Sequence, residues 1–149
     1  MIRIGILAFG LATGAQAAPG QVLMPTDPKA LAQQEQFGYA DAVVAGGFIH
    51  LSGVIVAPRT GDMGFEPAYE RAFAQIGATL QRAGASWADV VDMTTFHTDL
   101  IAQVGAIAAV KNRYVKAPYP AWTAIGVTRL FADSGITEIK VVALAPPVR

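Results

Sequence analysis

Apolar residues in the first half of the chain fall into two short runs joined by small residues. The runs span residues 37–44 and 48–56, and Ala45-Gly46-Gly47 separates them. A glycine pair readily adopts the positive φ angles of a tight turn, so the pattern predicts a β-hairpin. The next segment, residues 57–64, combines proline, aspartate and glycine and therefore predicts a loop.

Helical periodicity follows in two longer segments. Residues 66–83 place apolar side chains at steps of three and four, with Pro67 in the first turn and Gly84 after the last. A second helix is predicted over residues 100–115, where Asp99 is suited to cap its start. The core-facing positions of the first helix are Tyr69, Ala72, Phe73, Ile76, Leu80 and Ala83. Those of the second are Ile101, Val104, Ala108 and Val115, with Val110 and Tyr114 toward the edge.

Three more segments rich in β-branched residues predict further strands. They span residues 89–98, 121–130 and 136–144, and a turn at residues 132–135 separates the last two. The predicted order is therefore β-β-α-β-α-β-β. This order fits an α+β domain in which two helices cover one face of a single mixed sheet.

The opposite face of that sheet must also be accounted for, because several strands are apolar on both sides. The residues concerned are Val43, Val44, Ile49, Leu51, Val54, Ile55, Val56, Val141, Val142 and Leu144. Helices on one face leave the second apolar face open to water unless another molecule covers it. We therefore expect a homo-oligomer.

The N-terminus has the order of a secretory signal peptide over residues 1–17. Arg3 precedes an apolar run over residues 4–12, and Ala15-Gln16-Ala17 provides an A-x-A cleavage site. Cleavage there would place the mature protein in the periplasm or outside the cell. A buried N-terminal helix or strand is the alternative, whereas a membrane span needs roughly 20 apolar residues. After cleavage we expect no membrane association.

Composition narrows the classes of function that remain. Apolar residues make up 53% of the 149, which is enough for a substantial core within one domain. Residues 18–36 are polar and contain prolines, so they predict an extended lead-in to a folded domain over residues 37–149. The formal net charge of zero gives no reason to expect a nucleic-acid partner. The absence of cysteine excludes thiol nucleophiles and zinc–thiolate sites.

Several segments, taken in order, resemble one known family, the RidA/YjgF imine and enamine deaminases. Together they extend over residues 37–145, and the combination is more specific than any one motif. The segments are GYADAVVAGGFIHLSG (38–53), RTGD (59–62), LQRAGAS (80–86), DVVDMTTFHTDL (89–100), KNRY (111–114) and YPAWTAIGVTRL (119–130).

The resemblance implies a chorismate-mutase-like α+β fold and a homotrimer with small-molecule clefts between subunits. It implies no metal and no organic cofactor. Active members hydrolyse reactive imines or enamines to 2-oxo acids and ammonia. They act on compounds such as those that pyridoxal-phosphate enzymes release from serine or threonine.

The resemblance also implies site residues, and one of them departs from the family. The family sequence P-A-R-S places an arginine that holds the substrate carboxylate, whereas this chain reads Pro120-Ala121-Trp122-Thr123. An indole is neutral and cannot form that bidentate, charge-assisted contact. Trp122 therefore predicts little or no hydrolysis of 2-imino acids, and Trp122 and Thr123 become candidate ligand contacts for another compound.

The remaining candidates also come from the resemblance. The family's water-orienting glutamate falls near Lys140, although a longer preceding turn would assign it to Glu138. Strand alternation places both on one face. Tyr39 matches a tyrosine that lines the cleft, and Ser52-Gly53 matches a Ser-Gly pair whose glycine lets a ligand approach the backbone.

Other polar residues are weaker candidates. His50 and His97 alone do not make a metal site, which usually needs three or four ligands, and His97 is expected to be a half-exposed strand histidine rather than a general base. Arg113 is expected at the surface. Two hypotheses of function remain: a divergent imine or enamine deaminase or related hydrolase, and a binding protein that uses the same cleft without chemistry.

Overall fold

The computed structural model describes residues 20–147, which form seven strands, three α-helices and one short 3₁₀ helix. The strands are β1 (Gln21–Leu23), β2 (Ala42–Ala45), β3 (Phe48–Leu51), β4 (Val54–Val56), β5 (Val90–His97), β6 (Ala121–Gly126) and β7 (Thr137–Leu144). The α-helices are α1 (Pro28–Phe37), α2 (Glu66–Arg82) and α3 (Leu100–Tyr114), and the 3₁₀ turn is Trp87–Asp89. The expected signal peptide lies outside the described residues.

All seven strands belong to one mixed sheet with the order β1-β2-β3-β7-β5-β6, in which β4 also pairs with β7. Only the β5–β6 pair is parallel. The Gly46-Gly47 turn joins β2 to β3, and both glycines have positive φ angles of 60° and 83°. The predicted hairpin and the single mixed sheet of an α+β domain are therefore confirmed.

The segment expected to be an extended lead-in contains the helix α1, so the predicted count of two helices was wrong. Asp27 caps α1 by accepting a 2.8 Å hydrogen bond from the backbone N–H of Ala30. Pro28 occupies the first turn, and Gly38 ends the helix in a left-handed conformation with a φ of 70°. An aspartate before a proline is a helix-start signal. The prolines and the many polar residues of this segment were instead interpreted as signs of an extended lead-in.

The predicted inner face of α3 was wrong for Ile101 and Val104, although Val115 is buried as predicted. Ile101 is 92% exposed and Val104 is 39% exposed, whereas Ile107 and Val110 are fully buried. Gln103 is also buried, at 2% exposure, because its side chain contacts His97 and Thr98 at the end of β5. A buried polar residue therefore fixes the rotation of α3, and apolar periodicity alone could not detect it.

Strand β6 ends at Gly126, four residues earlier than predicted from the sequence. Its only partner among the described strands is β5, whose last residue, His97, pairs with Gly126. One further backbone bond to β5 follows, from the N–H of Val127 to the carbonyl of His97 at 2.8 Å, and the pairing then ends because β5 itself ends at His97. The following residues form a loop in which Arg129 pairs with Asp133.

The core lies between one face of the sheet and helices α2 and α3. Its fully buried members include Phe73, Ile76, Leu80, Ile107, Met93 and Ile139. The opposite face, which we call the open face, carries the exposed apolar side chains of Val43, Phe48, Ile125 and Leu144. No helix within residues 20–147 combines the length and the apolar character that crossing a membrane requires.

Candidate functional site

A β-bulge between β3 and β4 brings Ser52-Gly53 against Glu138, and both were candidates from the sequence. His50 pairs with Val142, and Val54 pairs with Ile139. The chain therefore advances four residues from β3 to β4 while β7 advances only three. The extra residue falls at Ser52-Gly53. Bulges of this kind re-aim side chains and occur beside active sites.

Glu138 lies directly on the backbone of Gly53. A Cβ atom at position 53 would lie 1.9 Å from Glu138 Oε1 and 2.6 Å from its Cδ, so no other residue fits there without moving the carboxylate. The φ angle of Gly53 is not positive, so the position requires glycine for its lack of a side chain and not for its backbone freedom. The sequence left Glu138 and Lys140 as alternatives, and the structure places Glu138 beside Ser52-Gly53.

Two adjoining cavities that share four lining residues form what we call the Glu138 pocket, and Glu138 lines the outer of these two lobes. The inner lobe has a volume of about 230 Å³ and the outer lobe about 350 Å³. Both lobes are lined by Tyr39, Ser52, Gly53 and Ile55. The inner lobe adds Gln34, Asp41, Leu51, Val54, Gln75 and Thr79, and the outer lobe adds Phe37, Phe131 and Glu138. Three of the predicted site residues therefore meet Glu138 at one place.

A hydrogen-bonded group of polar side chains closes the inner lobe. Asp41 accepts a 2.7 Å hydrogen bond from Gln34 Nε2 and a second, also 2.7 Å, from Arg82. The backbone carbonyl of Asp41 also accepts from the N–H of Ser52 at 2.9 Å. These contacts fix α1 and the bulge relative to each other, so the pocket is built from segments that support one another.

Lys140 and Thr123 lie on the open face, away from the Glu138 pocket. Lys140 pairs with Thr94 of β5, and Thr94 in turn pairs with Thr123 of β6. Both Lys140 and Thr123 are exposed, and neither lines the pocket. Within one chain, two strand spacings separate Thr123 from β7, a distance of roughly 9–10 Å.

Trp122 points to the other side of the sheet, toward the helices. It pairs with the buried Met93, and its Nε1 donates a 3.1 Å hydrogen bond to Thr95 Oγ1. The Nζ atom of Lys111 lies 4.9 Å from the centre of the Trp122 ring and 5.9 Å from that of Tyr119. The indole is therefore held by contacts within its own chain and does not line the Glu138 pocket.

Thr95 belongs to a buried polar chain centred on His97. His97 Nε2 lies 2.9 Å from Thr95 Oγ1, and its Nδ1 lies 3.2 Å from both Gln103 Oε1 and Thr137 Oγ1. His97 is fully buried, so the expected half-exposed position was wrong. Burial lowers its pKa below the usual value, because desolvation disfavours the charged ring. The His97 side chain lies on the core side of the sheet, where it stabilises the core, and it does not reach the Glu138 pocket.

The pocket residues that were not predicted from the sequence include Gln34, Phe37 and Phe131. Phe37 and Phe131 form an edge-to-face pair with ring centres 5.3 Å apart, although 94 positions separate them in the chain. No pattern of local periodicity signals such a contact. Gln34 could have been found only by recognising α1. Within residues 20–147 no group of three or more metal-binding side chains clusters, and Arg113 pairs at the surface with Glu66 and Glu70.

Comparison with known proteins gives a consistent result. A family model described as Endoribonuclease L-PSP matches residues 29–145. The RutC family protein YjgH of Escherichia coli K12 is 39% identical over 111 residues, which cover 72% of this chain and 83% of that protein. The RutC family protein slr0709 of Synechocystis is 33% identical over 114 residues, covering 72% and 86%.

Solved structures show the same fold. A structure of protein YJGH has a TM-score of 0.73 at 33% identity, covering 88% of this chain and all of that one. Rv2704 of Mycobacterium tuberculosis, a member of the YjgF/YER057c/UK114 family, has a TM-score of 0.70 at 22% identity, covering 85% and 99%. The match of the family model begins at residue 29, within α1.

Proposed function

Because this chain belongs to the RidA/YjgF family, known also by the Endoribonuclease L-PSP description, we propose that it hydrolyses small imines or enamines in the Glu138 pocket. The observation that carries the proposal is the Glu138 carboxylate on the side-chain-free surface of Gly53, with Ser52 and Tyr39 around it. A carboxylate beside open backbone can hold a water molecule and accept its proton.

The proposed reaction needs only water and the substrate. Glu138 accepts a proton from water while the water oxygen bonds to the imine carbon. The electron pair of the C=N bond moves to nitrogen, which takes up a proton and gives a carbinolamine. The C–N bond then breaks, nitrogen leaves as ammonia, and the hydroxyl loses its proton to give a carbonyl. Glu138 carries the proton of water to nitrogen in the first step, and in the second it carries the proton of the hydroxyl to the departing nitrogen.

A non-catalytic binding role in the same pocket is the second candidate. Trp122 favours it, because strand β6 offers no charged side chain at the position where the family holds a carboxylate. For this binding role we propose a small molecule and not a nucleic acid, because the formal net charge of zero provides no basic surplus to attract phosphates.

An assay with two classes of imine tests hydrolysis. A pyridoxal-phosphate enzyme supplies a 2-imino acid, and an amine oxidase acting on benzylamine supplies an imine without a carboxylate. We expect the protein to accelerate ammonia release from the second imine and to leave the first close to its spontaneous rate, since no arginine is present to anchor a carboxylate. If it accelerates neither, the binding role is supported instead.

We also propose that three copies assemble into a ring. The open face leaves apolar side chains exposed, and five of the six residues of the edge strand β6 are exposed. In one chain, Trp122 and Thr123 lie at the edge strand, far from the Glu138 pocket. Contact between the edge of one copy and the pocket side of the next would bring these groups to one cleft.

Light scattering on the purified mature protein tests the assembly. We expect a mass three times that of one chain at micromolar concentration, because an uncovered apolar sheet face favours association. Replacing Phe48 of the open face, which is 39% exposed, with a glutamate should shift the mass toward that of one chain. A wild-type monomer would contradict the proposal.

Export is proposed from the order of charge, apolar run and A-x-A site in residues 1–17. Mass spectrometry of the protein from its native cells should find Ala18, or a residue within a few positions of it, at the N-terminus. The fraction that contains it should be periplasmic or extracellular. An intact Met1 in a cytoplasmic fraction would contradict export.

A further inference from the structure

We propose that the Glu138 pocket selects a small organic cation, an ammonium or iminium group attached to an apolar or aromatic body, and not a carboxylate. This inference rests on the proposed function only in taking the pocket as the binding site, and it names the class of compound that the pocket accepts. Three features of the pocket favour such a ligand: its charge, one unpaired polar atom and its aromatic side chains.

The first step is the charge of the pocket wall. Its two ionisable acidic residues are Asp41 and Glu138, and no lysine, arginine or histidine within residues 20–147 lines either lobe. Arg82 compensates Asp41 from outside the pocket. Glu138 has no salt bridge or side-chain hydrogen bond with any residue in the range 20–147, although it is half-buried. The uncompensated charge of the pocket is therefore negative.

The second step is an unpaired acceptor buried in the wall of the inner lobe, where a ligand meets its negative potential but not the atom itself. Gln34 is only 7% exposed, and its Oε1 has no hydrogen-bond partner among residues 20–147. Its Nε2 must be the atom that faces Asp41, because the Asp41 carboxylate can only accept a hydrogen bond. The orientation of the amide is thus fixed, and Oε1 is left as a buried acceptor. Such an atom is costly unless a donor meets it.

The third step is the aromatic rim of the outer lobe. Phe37, Tyr39 and Phe131 line it, and they are 52%, 43% and 72% exposed. Faces of aromatic rings attract cations and also pack against apolar groups. A ligand with an N–H-bearing positive head and an apolar body matches all three features. A carboxylate would meet Glu138 and the negative potential of the buried Gln34 acceptor, and both would repel it.

A set of three probes of similar shape tests this selection by calorimetry on the full mature protein. The probes are benzylammonium, benzyl alcohol and phenylacetate. We expect benzylammonium to bind at least about 10-fold more tightly than the alcohol and phenylacetate not to bind. Glu138→Gln should reduce the affinity for benzylammonium about 10-fold or more, to the level of the alcohol. Gln34→Met should weaken it by up to about 10-fold.

Lys140→Gln is the matched control, because Lys140 lies on the same strand and the same face as Glu138 but outside the pocket. This variant should keep the preference of the wild type. Tighter binding of phenylacetate than of benzylammonium would overturn the inference. Loss of such binding in Lys111→Met would then identify Lys111, held over Trp122, as the anchor of an anion at a subunit contact.

Binding and hydrolysis can fail separately. If benzylammonium binds as expected while no imine is hydrolysed, the selection of cations stands and the hydrolase proposal is contradicted. If imines are hydrolysed but benzylammonium binds no better than the alcohol, the hydrolase proposal stands and the selection of cations is contradicted.

Discussion

Replacing Glu138 with glutamine should lower kcat/KM for imine hydrolysis by about 100-fold or more, within the range of 10²–10⁴ that proton transfer by a positioned side chain contributes. Glutamine nearly preserves the shape of the side chain over Gly53, so the pocket should keep its form. What it removes is the ability to accept a proton from water. The measurement is ammonia release from the imine that the wild type hydrolyses fastest.

Lys140→Gln is the control for that experiment too, because sequence reasoning left Lys140 and Glu138 as alternatives for the same role. Lys140 is exposed on the open face and does not line the pocket, so its replacement should change kcat/KM by less than about 3-fold, an energy of roughly 0.6 kcal/mol. The two variants also differ in kind: Glu138→Gln removes a negative charge and Lys140→Gln a positive one. If kcat/KM fell strongly in Lys140→Gln and stayed at the wild-type value in Glu138→Gln, the catalytic role would belong to Lys140 and not to Glu138.

Ile107→Ala should lower the free energy of unfolding by about 2–5 kcal/mol, because Ile107 is fully buried between α3 and the sheet. The cost combines lost burial of apolar surface with the cavity that remains. The denaturation midpoint in urea gives the value, provided that wild type and variant are compared at one protein concentration. That condition matters because assembly of several copies makes stability depend on concentration.

The matched control is Ile101→Ala on the same helix. Ile101 is 92% exposed, so the same substitution should change the free energy of unfolding by less than about 0.5 kcal/mol. The pair tests the observed rotation of α3 against the one that apolar spacing predicted. An equal loss from both variants would show that Ile101 is also covered, either by another subunit or by a different rotation of the helix.

The predicted site residues lie in two groups in the structure. Tyr39, Ser52 and Gly53 come from segments whose chain positions are close, and the structure gathers them in one pocket with Glu138. Trp122 and Thr123 are adjacent on one strand, yet alternation sends their side chains to opposite faces. Neither of them reaches the pocket within one chain, and their role as ligand contacts stays a prediction that depends on the proposed ring.

The sequence of strand β7 alone could not distinguish Glu138 from Lys140. Both residues have the same parity, so alternation along β7 could not separate them. The bulge at Ser52-Gly53 separates them, because it shifts the pairing of β3 and β4 with β7 by one residue and sets Gly53 against Glu138. A bulge arises from the pairing of strands distant in sequence, and no local pattern in either strand reports it.

The sequence by itself determined the α+β class, the hairpin at Gly46-Gly47, the helices α2 and α3, and the family. These features depend on local periodicity, turn residues and ordered motifs, all of which are written along the chain. Tertiary structure alone decided the rotation of α3, the end of β6, the position of Glu138 beside Gly53 and the pairing of Phe37 with Phe131. Each of these depends on a contact between distant segments, such as Gln103 with His97, whose energy is absent until the chain has folded.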